Sequence, residues 1–108
     1  MGKFTCKVGK DGQYYFNLKA SNGQIILTSE GYSSKSACMN GITSVQKNCS
    51  DDSRYERKES SNGKPFFELK AGNHQTIGKS ELYESVSAME NGIASVKKNG
   101  VSETIEEV

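Results

Sequence analysis

The sequence predicts an α+β domain in which two tandem repeats, each of three strands followed by a helix, share a single core. Three observations carry this. Sliding the chain over itself by 51 positions aligns residues 3–48 with 54–99 without a gap, and about half of the aligned positions are identical, far beyond chance. Within each copy the apolar period begins at two and ends near 3.6, the change from strand to helix. A chain of 108 residues also suffices for one ordinary domain, and not for two that each bury a core of their own. Repeat one is therefore read as residues 1–52 and repeat two as residues 53–108 of one 1–108 domain.

Taken in order, Phe4, Cys6 and Val8 alternate with polar residues, Asp11-Gly12 marks a tight turn, and Tyr14, Phe16, Leu18 and Ala20 alternate again, which reads as a β-hairpin. Asn22-Gly23 supplies a second turn before the strand-like Gln24-Ile25-Ile26-Leu27-Thr28-Ser29. The matching turns of repeat two are Asn62-Gly63 and Gly72-Asn73, and Pro65 opens a strand, where a missing amide hydrogen does least harm. From Ser34 the spacing becomes helical through Cys38, Ile42, Val45 and Cys49, and Met89, Ile93 and Val96 repeat it, with Ser34 and Ser85 as N-caps. Gly41 and Gly92 fall inside these helices, at a cost of about 1 kcal/mol relative to alanine. Their shared presence predicts a close approach of helix to sheet, or of helix to helix, near an internal twofold. After each helix comes a short extended stretch, Ser53-Arg54-Tyr55-Glu56 and Glu103-Thr104-Ile105-Glu106. The first must double as the opening strand of repeat two; the last is expected to return and pair near Lys3–Val8, covering that free edge and closing the copies symmetrically.

The run Asn22-Gly23-Gln24-Ile25-Ile26-Leu27-Thr28-Ser29-Glu30-Gly31-Tyr32-Ser33-Ser34-Lys35, followed by Asn40-Gly41-Ile42-x-Ser44-Val45-x-Lys47-Asn48, resembles the YegP-like family of small bacterial proteins over both copies. The resemblance implies two tandem β(3)-α-β repeats sharing one antiparallel sheet, with C-terminal strands exchanged between units and two helices packed on it. In single-copy members it implies a homodimer of the same arrangement. It carries no activity with it.

Composition narrows the function classes. With 33% hydrophobic and 25% charged residues and a mean hydropathy of −0.68, the chain is polar but able to fold. A net charge of +1 gives no long-range field to gather nucleic acid or anionic lipid. No apolar run has the length of a membrane span or a signal core, so the expectation is a cytoplasmic monomer with internal pseudo-twofold symmetry. Cys6, Cys38 and Cys49 have Arg57, Met89 and Gly100 as counterparts, so no pairing scheme survives the duplication and free thiols are expected.

No catalytic constellation stands out. The one histidine, His74, falls in a turn and corresponds to Gly23; no Cys or His pair has metal-ligand spacing; and neither Gly9-x-x-Gly12 nor the Gly72 to Gly78 stretch has the form of a phosphate loop. No cofactor and no metal are expected. Two candidate binding surfaces remain. The first is the face of the sheet turned from the helices, where Tyr15, Asn17 and Lys19 in repeat one and Phe66, Glu68 and Lys70 in repeat two point outward. The second is the Ser-Glu-x-Tyr signature before each helix, Ser29-Glu30-Gly31-Tyr32 and Ser80-Glu81-Leu82-Tyr83. Beside a helix N-terminus this carboxylate and phenol would suit a polar ligand; in the simpler reading the tyrosine staples the helix start while serine satisfies loop amides. The leading reading is a non-enzymatic binding or accessory module acting through protein contacts. An enzyme site at the repeat interface, and nucleic-acid binding on the open sheet, are the alternatives.

Overall fold

The computed structural model describes residues 2–108 and follows the predicted order: β1 (Lys3–Val8), β2 (Tyr14–Lys19), β3 (Ile25–Ser29), α1 (Lys35–Asn48), β4 (Tyr55–Glu59), β5 (Pro65–Lys70), β6 (Thr76–Lys79), α2 (Val86–Asn99) and β7 (Ile105–Glu107). One turn of 3-10 helix, Asp52–Arg54, joins the repeats. Gly12, Gly23 and Gly63 take positive φ in the hairpin turns, a region open to glycine without steric penalty. The turn expected at Gly72-Asn73 is centred one residue later. Asn73 and His74 stand where repeat one has Asn22 and Gly23, so His74 itself holds a φ of 69°. Asn22 and Asn73 each accept the amide hydrogen two residues on, at 3.0 and 3.1 Å. Ser34 and Ser85 cap the helices by accepting from Ala37 and Ala88, both at 3.0 Å.

The helical glycines approach the sheet as expected, Gly41 at Phe16 and Gly92 at Phe67, but each meets a tyrosine more closely still. A methyl group on Gly41 would run into the Tyr32 ring, and one on Gly92 into the Tyr83 ring. Each tyrosine comes from the loop just before its own helix, so the close approach is made within a repeat rather than at the twofold. Tyr32 stacks on Phe16 with centroids 6.3 Å apart, and Tyr83 stacks on Phe67 at the same distance. Phe4 meets Phe16 edge-on at 5.9 Å as Tyr55 meets Phe67 at 5.6 Å, so an aromatic trio is repeated in each half.

The strands form one seven-stranded sheet in the order β4-β5-β6-β3-β2-β1-β7. Pairing is antiparallel throughout except at β7, which runs parallel to β1 with Phe4 opposite Ile105. The C-terminal stretch thus returns to cover β1 as expected, held by the Phe4 amide donating to the Thr104 carbonyl at 2.9 Å and the Val108 amide donating to the Cys6 carbonyl at 3.0 Å. The sheet is therefore mixed rather than wholly antiparallel, and the closure is not symmetrical. The counterparts of Ile105–Glu107 in repeat one are Arg54, Tyr55 and Glu56, and the last two of these already form the start of β4. Among the described residues no strand covers β4, whose exposed Glu56, Arg57, Lys58 and Glu59 guard the bare edge with charge.

Both helices pack on one face of the sheet over a common core. Phe4, Phe16, Leu18, Ile42 and Val45 of repeat one and Phe67, Leu69 and Val96 of repeat two are wholly buried in one cluster. At the pseudo-twofold axis equivalent positions meet each other. A Cβ on Gly78 would lie 3.1 Å from Leu27 Cγ, and one on Gly100 would lie 2.8 Å from Cys49 Sγ. At each crossing one side chain fills the space that two would contest. The three cysteines are free and buried.

Candidate functional site

Period-two alternation on β2 and β5 puts Phe16 and Leu18, and Phe67 and Leu69, into the core. It turns Tyr15, Asn17, Lys19, Phe66, Glu68 and Lys70 to the opposite face, which no helix covers. Cross-strand register adds the rest of this outer face. Lys3, Thr5 and Lys7 lie beside Lys19, Asn17 and Tyr15; Thr28 lies between Asn17 and Lys79; Glu56 and Lys58 lie beside Glu68 and Phe66.

The charges on this face are unevenly matched. Glu106 pairs with Lys3 at 3.0 Å, Glu56 with Lys58 at 3.1 Å and Lys70 at 3.5 Å, and Glu68 with Lys58 at 3.1 Å and Lys70 at 3.8 Å. The Lys58 ammonium, with Lys70 assisting, holds the Glu56 carboxyl below its ordinary range. Partial burial pushes Glu68 upward, but Lys58, Thr76 and Lys70 outweigh it and the carboxyl is lowered as well. Among the described residues Lys7, Lys19 and Lys79 have no such partner. Of the two lysines singled out from the sequence, Lys70 is neutralised and Lys19 is free; Lys7 and Lys79 were missed, although counting alternation along β1 and β6 would have found them.

The aromatic candidates do not form one platform. The Tyr15 hydroxyl donates to Asp11 Oδ2 at 2.7 Å, and its ring leans onto Gly9 at the end of the hairpin. That bond raises the Tyr15 phenol and lowers the Asp11 carboxyl. Phe66 lies three strands away across the sheet, in a hollow of about 450 Å³ with Glu59, Ser60, Lys79, Ser80, Glu81 and Leu82. A second hollow, of about 530 Å³, shares Lys79, Ser80 and Glu81 and runs along Gln24 to Thr28. Both exist because β3 and β6 pair only at Thr28–Lys79 and Ser29–Gly78. Beyond that, the Ser80 amide turns to the Phe67 carbonyl at 2.9 Å and the seam opens, leaving Ile25 and Leu82 exposed on its rims.

The signature before the helices is used by the fold at most of its positions. Ser29 Oγ accepts from the Phe16 amide at 2.9 Å and donates to the Glu30 carbonyl at 2.8 Å; Ser80 Oγ accepts from Phe67 at 3.0 Å and donates to the Glu81 carbonyl at 2.7 Å. Each serine thus carries the sheet's hydrogen bonding where the strand turns away. Tyr32 and Tyr83 are half-buried against their helices, and burial, aided by Cys38 and Glu30 at the first and Glu81 at the second, raises both phenols. Glu30 and Glu81 remain exposed. His74 is exposed on its turn, and among the described residues no three His, Cys, Asp or Glu side chains gather as a metal would need. No helix among them is long and apolar enough to cross a membrane.

Fold and face together define a class: a duplicated α+β protein with a seven-stranded mixed sheet, helices on one side and a charged, uncovered surface on the other. Within that class the chain belongs to the YegP/UPF0339 family of small bacterial proteins. A family model described as "Domain of unknown function (DUF1508)" matches twice, over residues 10–56 and 60–107. The UPF0339 protein YegP of Yersinia pestis is 55% identical over all of this chain and 96% of its own length, and YegP of Escherichia coli (strain K12) is 50% identical over 98% of this chain and 96% of its own. Two solution NMR structures superpose on the fold. The UPF0339 protein SO3888 of Shewanella oneidensis has a TM-score of 0.93 at 48% identity, covering 98% of this chain and 90% of that one. YegP of E. coli has a TM-score of 0.94 at 50% identity, covering 98% and 91%.

Proposed function

We propose that this chain is a non-enzymatic binding module of the cytoplasm whose uncovered sheet face docks an acidic surface of a protein partner. One observation carries the reading: the strand carboxylates Glu56, Glu68 and Glu106 on the face are each paired with a lysine, while among the described residues Lys7, Lys19 and Lys79 are not. The surplus is cationic and local, which suits a partner presenting carboxylates, since complementary charge steers and orients encounter. Phe66 and Leu82 supply apolar contact beside Lys79, in a hollow that Glu59 and Glu81 also line, so the acidic partner is read onto the Lys7 and Lys19 side of the face with the hollow at its margin. The dispersed aromatics and the near-neutral chain fit a protein surface better than a stack of bases.

The test is a comparison of partners retained from cell lysate by the parent and by a triple variant, Lys7→Glu, Lys19→Glu and Lys79→Glu, with binding to the captured partner then measured at rising salt. Charge reversal is expected to weaken binding by tenfold or more, roughly 1.4 kcal/mol or above, and salt to weaken the parent complex. A partner held equally by both proteins, with no salt dependence, overturns the proposal.

A further inference from the structure

The buried thiols of Cys6 and Cys38 stand in direct contact, a feature the binding face does not use. Cys6 lies on β1 with its side chain toward α1, and Cys38 is one turn into that helix; their sulfurs are 3.5 Å apart. Cys6 is 3% exposed and Cys38 wholly buried. Repeat two has nothing similar: the equivalent pair is Arg57 and Met89, and Arg57 is turned to Glu90 and Asp52.

Beside the pair runs the shortest strand of the sheet. β7 is three residues long, and at its end Glu107 stands opposite Cys6 in the ladder and forms an ion pair with Lys35 on α1. The pair between Lys35 and Glu107 thus ties β7 to the helix at the edge where the two sulfurs lie. Both of its side chains are about half exposed, and exposed pairs hold weakly, so β7 is the element expected to open first. Lifting it would break the Lys35–Glu107 pair and open the edge of β1 that carries Cys6. While β7 is in place burial, with Cys6 adding to it, pushes the Cys38 thiol up to about 12, which holds Cys38 as the unreactive thiol.

We propose that Cys6 and Cys38 form a reversible intramolecular disulfide, by exchange with a low-molecular-weight disulfide, and that β7 gates their access. In the first step the Cys6 thiolate attacks one sulfur of the small disulfide. The S–S bond breaks, one small thiolate leaves with the electron pair, and a mixed disulfide remains on Cys6. In the second, the Cys38 thiolate attacks the Cys6 sulfur and expels the other small thiolate. The two protons given up by the cysteines end on the two small thiols; the protein loses two electrons and the small disulfide gains them. The product joins β1 to α1.

The full chain is incubated with oxidised glutathione, quenched in denaturant with an alkylating agent and weighed. The expected result is one alkylated cysteine instead of three, a mass short of two hydrogens, no retained glutathione, and a Cys6–Cys38 link on peptide mapping. Cys38→Ser is expected to trap glutathione on Cys6, and Cys49→Ser to leave the link intact. Glu107→Gln, which loosens the gate, is expected to speed oxidation at least threefold. Two results overturn the proposal: both thiols still fully alkylated in parent and in Glu107→Gln after prolonged oxidant, or a link that runs to Cys49 or between chains.

Discussion

Phe16, Leu18, Tyr32 and Gly41 in repeat one and Phe67, Leu69, Tyr83 and Gly92 in repeat two occupy equivalent places and make equivalent contacts, whereas Leu27 and Gly78 share one place between them. The copies agree closely where a residue packs within its own half, the exchange of Phe4 for Tyr55 keeping the same edge-on contact. They differ where it meets its counterpart across the axis, or where it lines an edge that only one copy has covered. In a symmetrical pair of identical halves the axis would hold two leucines or two glycines, and either arrangement packs badly: one crowds and the other leaves a void. Duplication in one chain lets the two positions specialise. At the edges the same freedom put Cys6 opposite β7 and Met39 against the core, while the uncovered copy carries Arg57 and Glu90 at the same positions, joined at 2.6 Å.

Four changes probe this comparison. The largest effect is expected on the axis. Leu27→Ala should cost about 2–5 kcal/mol by opening a cavity, and Gly78→Leu alone about 1–3 kcal/mol by crowding. A Cβ at Gly78 would also lie 2.8 Å from the Thr28 carbonyl oxygen, so adding Leu27→Gly to Gly78→Leu should relieve only the side-chain part of the crowding and recover part of the loss. Urea unfolding measures these together with Leu27→Gly alone, and a double variant no better than the sum of Leu27→Gly and Gly78→Leu would show that the two positions do not share their space. Next, Ser29→Ala and Ser80→Ala should each cost about 1–3 kcal/mol by leaving a buried amide without its acceptor. Equal losses are expected, and a large inequality would break the equivalence of the copies. Third, His74→Gly should gain about 1 kcal/mol in thermal unfolding, because only glycine takes this backbone region without strain; Gly23→His should lose a similar amount.

The smallest effect concerns acid. Asp52 is held below its ordinary value by hydrogen bonds from Lys97 and Arg57, and Glu90 by Arg57. A carboxyl lowered in the folded state stabilises it fully above the unfolded value of about 4 and loses that contribution as pH falls through the lowered one. The melting temperature should therefore decline through this acid range. Arg57→Met should flatten part of the decline, leaving the share due to Asp11, Asp51, Glu56 and Glu68. An unchanged pH profile would show that the charges around β4 contribute nothing to folding.

Local chemistry made most of the fold legible. The turns at Asp11-Gly12 and Asn22-Gly23, the caps at Ser34 and Ser85, and the return of the C-terminal stretch to β1 all follow from alternation, turn residues and an uncovered edge. The direction of β7 did not, because either direction would cover β1. Nor did the partner of Gly41 and Gly92: a helical glycine announces a close neighbour without naming it, and only the stacked path of Tyr32 and Tyr83 does so. On the candidate face, the outward turn of Tyr15, Lys19, Phe66 and Lys70 was readable from period two. Which lysines keep a free charge depends on cross-strand register, and the contact of Cys6 with Cys38 depends on how β1 meets α1. A self-comparison of the sequence shows neither.

Arg54, Tyr55 and Glu56 end one copy and begin the next, so no peptide bond divides the chain into two complete units. A break before them deprives the first unit of its tail, and a break after them deprives the second of its opening segment. Because Tyr55 and Glu56 are spent on opening the second unit, the joined chain keeps one closing strand where two separate units would each need their own.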